Sequence, residues 1–148
     1  MRSMEIKSYN DGIDHINIYS KSQSILGRML SNFSDHSIDT VDGPFSSVEG
    51  YWYWLGCKDN RLRTCKGYEA KRLGRDLNCE DYPKDDLFKL KLCAALLNKL
   101  INHPDIYKKF KENNLPFAHY YEYNGRIVEP QNGKWLIEFW TFIQQNLI

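Results

Sequence analysis

Apolar residues recur at helical spacing over two long stretches of this chain. After Pro83, the run from Lys84 to about Ile101 places Leu87, Leu90, Cys93 or Ala94, Leu97, and Leu100 or Ile101 three or four residues apart. That spacing predicts a helix with this stripe buried. Lys134 to Leu147 repeats the pattern, with Trp135, Phe139, Phe142 and Ile143 on one face. Ser46 and Glu49 stand at the Ser-x-x-Glu spacing of a capping box, so a helix is expected to open there and run to about Gly56. Tyr68 to Leu73, punctuated by Gly67 and Gly74, reads as a shorter one, with Gly74 closing it. Asn102-His-Pro104 ends the long helix, and Asp105 caps another through Phe110 and Lys111.

Strand signals are few. Ile16-Asn-Ile-Tyr19 alternates, Asp42-Gly-Pro44 is a turn, and Asn124-Gly125 between two aromatic or branched runs is a strong hairpin signal. Short strands among several helices, with no β-α-β rhythm, predict an α+β fold in which helices surround a small mixed or antiparallel sheet. The 148 residues suit one domain, and no repeat or linker divides them. The whole chain, 1–148, is therefore read as a single domain, with about the first 15 residues expected to be ragged.

Composition narrows the partners. A net charge of +1 argues against holding nucleic acid by bulk electrostatics, though not against one nucleotide in a pocket. No apolar run reaches the roughly 20 residues of a membrane span, and the first residues lack the apolar core of a signal peptide. A cytoplasmic protein without a membrane partner is expected. Cys57, Cys65, Cys79 and Cys93 include no Cys-x-x-Cys pair, which argues against zinc, and without an export signal free thiols in a reducing cytosol are expected. No Cys, His, Asp or Glu set falls at metal-ligand spacing, so no metal is expected. Aromatics make up 14% of the chain and cluster at Tyr51–Trp54, His119–Tyr123 and Trp135–Phe142. Such clusters serve a core, or stacking on a base. Scarce alanine against abundant Lys, Asn, Ile and Tyr suggests an AT-rich genome, as in a phage or low-GC bacterium.

Three stretches, in order, resemble the NADAR family, which includes the YbiA-like proteins and phage relatives. They are Leu30-Ser-Asn-Phe33, Phe45-Ser-Ser-Val-Glu-Gly-Tyr-Trp-Tyr-Trp54 and Gly67-Tyr-Glu-Ala-Lys-Arg-Leu-Gly-Arg75. The helix bearing Asn98 and Lys99 stands where the family has a long lysine-containing helix. Where the family pattern continues His-Tyr-Tyr-Gln after its glutamate, this chain has Gly50-Tyr-Trp-Tyr53; the family's C-terminal Asp and Trp-Gly are replaced by Gln131-Asn-Gly-Lys-Trp135. The resemblance implies a divergent member that cleaves an N-glycosidic bond to ribose without a cofactor. The expected substrate is ADP-ribose on a nucleobase, above all guanine in DNA; in a phage, removing it would counter a bacterial defence. Hydrolysis of ribose-phosphate intermediates of riboflavin synthesis is the alternative enzyme, and a non-catalytic module binding an ADP-ribose-like molecule is the alternative from another class.

The resemblance carries Glu49 and Lys71 as catalytic candidates. Breaking a C1'–N bond builds positive charge on the sugar, which a carboxylate at Glu49 would stabilise. Glu49 could equally be only a cap. Lys71, if desolvated, could attack an opened sugar; if solvated, it would anchor phosphate. Asn32 and Phe33 would line the sugar and stack on the base, or be a turn and a core residue. Trp52 and Tyr53 belong to the run suited to stacking; Trp52 and Trp54 point to opposite sides of a helix, so at most one meets a ligand. Gly74 would let backbone amides approach phosphate, Arg75 with Arg72 would pair with a diphosphate or form a solvated helix face, and His119 would hydrogen-bond substrate or serve the core.

Overall fold

The computed structural model describes residues 5–147, so the ragged start expected for residues 1–4 lies outside the described residues. The fold is α+β, with six α-helices and short two-stranded sheets among the described residues. The chain packs as two compact units: one takes both ends of the chain, up to Ser31 and from Lys109 onward, and the other is Asn32–Lys108.

In the terminal unit, β1 (Ile16–Asn17) runs parallel to β4 (Phe117–Ala118). Pairing continues through the Asn17 side chain. Its Nδ2 donates to the Tyr120 carbonyl (3.1 Å) and its Oδ1 accepts from the Tyr120 amide (3.0 Å), as a backbone unit would. The segment before β1 is tied down, not ragged, at its last residues. Buried Asp11 accepts from the Asn17 amide, the Ser22 hydroxyl and the Gln23 amide. Buried carboxylates need such donors, and three of them anchor the loop. Buried His15 bridges Asp14 and the Tyr120 hydroxyl, at 2.6 and 2.7 Å.

Helix α1 (Ile25–Leu30) starts at Ser24, whose Oγ accepts from the Gly27 amide. The hairpin of β5 (Tyr121–Tyr123) and β6 (Arg126–Val128) turns through Asn124 and Gly125, both at positive φ, as the sequence led one to expect. Helix α6 (Lys134–Asn146) buries Trp140 against Phe110, while Phe142, expected inside, is 61% exposed. Phe142 lies two residues, or 200°, round the helix from Trp140, so the two cannot share a face.

In the central unit, β2 (Ile38–Thr40) and β3 (Gly43–Phe45) form a hairpin about the turn at Asp42. Asp42 Oδ2 accepts from the Tyr51 hydroxyl (2.8 Å) and from Lys91 (3.2 Å). Helix α2 (Val48–Cys57) is capped one residue later than the capping-box pattern implied: Ser47 Oγ, not Ser46, accepts from the Gly50 amide. Helix α3 (Gly67–Asp76) packs on α2, as does α4 (Asp86–Asn102), which opens at Asp85 and also meets β2. Helix α5 (Pro104–Glu112) follows at once.

Two expectations change here. Cys57 and Cys79 form a disulfide, with Cα atoms 5.1 Å apart at a sequence separation of 22, so the argument for a reducing compartment falls. Closing a loop of that length stabilises by roughly 3 kcal/mol through the unfolded chain. On α4 the buried stripe is Phe88, Leu92, Ala95 with Leu96, and Lys99 with Leu100, whereas Leu87 and Leu90 are 56% and 68% exposed. The helix is apolar round much of its circumference, so two stripes a residue apart fit the same period. Lys99, a charged residue, lies on the stripe that is buried.

Candidate active site around Glu49

Glu49 sits at the second position of α2, and its amide donates to the Asn32 carbonyl (3.0 Å). Its side chain is buried on the face that α3 covers. Burial pushes its carboxyl from 4.5 up to about 7, against Lys71 and Arg75, whose positive charges favour the anion; Glu80 adds to the rise. Desolvation thus outweighs two nearby cations and the helix N-terminus. A carboxyl balanced between its two forms near neutral pH can act as acid, base or charge stabiliser.

Helix α3 supplies the rest. Lys71 and Arg75 are four residues apart and so lie on one face. Lys71 Nζ lies 5.8 Å from the centre of the Phe33 ring, and Gly67 packs against the same residue. Lys71 is half-buried, not enclosed between rings, which favours the phosphate anchor over the desolvated nucleophile. Arg75 Nε donates to Glu80 Oε1 (3.3 Å), an exposed pair that an incoming anion can replace at little cost. Tyr53, one turn after Glu49, donates its hydroxyl toward the same Glu80 oxygen (3.4 Å). Burial, then the charges of Glu49 and Glu80, raises its pKa, so it stays a phenol that can donate. Asn32, Phe33, Glu49, Tyr53, Lys71 and Arg75 are therefore brought together from three separate stretches.

Three candidates are not part of this group. Gly74 does not end its helix: it lies buried inside α3 directly over Tyr53, and a Cβ there would stand 2.3 Å from that ring's Cγ. Glycine is required for close approach of α2 and α3, not to offer amides to phosphate. Trp52 turns 100° from Tyr53 round α2. Its ring meets Phe88 edge-on (4.9 Å) with Lys84 Nζ 5.5 Å from its centre. His119 belongs to the terminal unit, where Nδ1 donates to the Ile18 carbonyl (2.6 Å). Burial lowers its pKa against that contact, leaving a neutral ring with a structural tie.

Two features escaped the sequence. Lys99 is wholly buried, and burial alone pushes its amine down to about 7. The sequence marked its helix but not the face it lies on, since the neighbouring stripe looked equally apolar. His36, His103 and Asp105 offer one ligand atom each, all within 4.8 Å of one another, although no such set is visible as local spacing. The site thus defined is that of an α+β protein with a buried, neutral-range carboxyl rimmed by two cations and an aromatic ring. The chain matches no family model, no curated protein and no solved structure.

Proposed function

We propose that this chain hydrolyses the N-glycosidic bond of a phosphate-bearing riboside, with ADP-ribose on a guanine of DNA as the preferred substrate. The observation that carries the reading is the buried carboxyl of Glu49, held near neutrality beside Lys71 and Arg75. As the C1'–N bond breaks, its electron pair leaves with the base and positive charge develops on the ribose. Water then bonds to C1', loses a proton to solvent and completes ADP-ribose, while the base takes up a proton. A carboxylate stripped of water stabilises that developing charge more than a solvated one would, because little solvent competes for its field. Lys71 and Arg75 would draw the diphosphate, and Phe33 would line the base. The NADAR-like stretches supply every member of this group: Asn32 and Phe33 from the first, Glu49 and Tyr53 from the second, Lys71 and Arg75 from the third. In a phage, the activity would erase a defensive modification.

The test is to incubate the purified protein with guanine-ADP-ribosylated DNA and, separately, with ribosyl-phosphate intermediates of the riboflavin type, and to measure released ADP-ribose or base. Wild type should release ADP-ribose from DNA, with kcat/KM rising as pH climbs through about 7, since the anion is the active form. Glu49→Gln should bind ADP-ribose within a few-fold of wild type yet turn over slower by about two orders of magnitude. Release only from the small ribosyl phosphates would move the substrate class. ADP-ribose binding without any release would make the chain a binding module and refute the hydrolase.

A further inference from the structure

We propose that His36, His103 and Asp105 form a binding site for one divalent cation of the zinc class. The three come from far apart in sequence: His36 precedes β2, His103 is the residue after α4, and Asp105 is in the first turn of α5. Their ligand atoms nevertheless all lie within 4.8 Å of one another. His36 Nε2 and Asp105 Oδ2 are 3.4 Å apart. Two ligands on a tetrahedral zinc with bonds of about 2.0–2.1 Å stand about 3.3 Å apart, so this pair already has the required separation. Binding requires side-chain rotation to close the wider gap, at most 4.8 Å.

The second contacts of both imidazoles match those of metal-bound histidines. His36 Nδ1 is 3.1 Å from Ser34 Oγ, and His103 Nε2 is 2.7 Å from the Ser37 carbonyl. A carbonyl only accepts, so Nε2 of His103 carries the proton and Nδ1 keeps the lone pair. Metal-ligating histidines are oriented in this way, by donating the other ring N–H to a nearby oxygen. The histidines are half-buried and Asp105 is exposed, so a cation has access, and three protein ligands leave a position for water. Two imidazoles and one carboxylate suit zinc, cobalt or nickel; magnesium and calcium favour all-oxygen sets. Lys99 lies one turn before His103, and its positive charge acts on His36. Any charge on that amine, which burial pushes down to about 7, opposes a cation and weakens its binding. The T-shaped contact of the two histidine rings (4.8 Å) and the His36–Asp105 pair would, without a metal, only pin the loop before β2. This inference does not rest on the hydrolase reading.

The experiment is calorimetric titration of zinc chloride, with magnesium chloride as control, into tag-free, EDTA-treated and dialysed full-length protein. The same titration is run on Asp105→Asn and His103→Asn, with circular dichroism confirming that each variant is folded. Wild type should bind one zinc per chain and melt at a higher temperature with zinc, and magnesium should give no binding. Each variant should lose about tenfold or more in zinc affinity. If His103→Asn fails to fold, Asp105→Asn, which alters an exposed carboxylate, still decides the matter. Absence of zinc binding by wild type overturns the proposal, and so does undiminished binding by folded Asp105→Asn.

Discussion

Replacing Glu49 with glutamine should make the protein more stable at alkaline pH, not less. The rise of its carboxyl from 4.5 to about 7 means that the folded chain disfavours the anion by about 3 kcal/mol, at about 1.36 kcal/mol per tenfold. The sign follows from linkage. Below about pH 4.5 the group is neutral in folded and unfolded chains alike, and no penalty exists. Between 4.5 and 7 the unfolded chain ionises while the folded one keeps its proton, so stability falls as pH rises; above about 7 the whole penalty is present. Glutamine never ionises and escapes it. Burying the amide takes back about 1 kcal/mol at either pH, which leaves a gain of about 2 kcal/mol at pH 8 and a loss of about 1 kcal/mol at pH 4. Urea unfolding of both proteins at the two values gives the difference, in which the other titrating groups cancel. A variant less stable by about 0.5–1 kcal/mol at both pH values would mean that Glu49 only supports the start of α2, and the buried-carboxyl argument would fail.

Gly74→Ala should cost about 1–3 kcal/mol by thermal unfolding, because the new methyl meets the Tyr53 ring inside van der Waals distance; an unchanged melting temperature would mean that α2 and α3 are not in tight contact there. Leu96→Ala should destabilise by about 2–5 kcal/mol in urea, whereas Leu90→Ala, on the 68% exposed side of the same helix, should shift stability by less than about 0.5 kcal/mol. The reverse ranking would restore the stripe first read from the sequence.

Local signals in the sequence were enough for the elements whose cause is local. Asn124-Gly125 specified its hairpin because both residues tolerate positive φ. The helices at 86–102 and 134–146 followed from period, and the α+β class followed from the order of these elements. The grouping of Asn32, Phe33, Glu49, Lys71 and Arg75 was legible only through the order of three motifs, and the contact of α2 with α3 gave it a physical basis. Which face of a helix is buried was not local information. Leu87, Leu90 and Leu97 satisfy the same period as Phe88, Leu92 and Leu96, and only packing on α2 and β2 chose between them. The same is true of chemistry. Glu49 titrates near 7 because α3 covers it, Lys99 is buried because of the stripe it shares, and Cys57 meets Cys79 because the chain folds back across 22 residues. Desolvation and long-range proximity depend on residues distant in sequence, so only the tertiary structure could decide them.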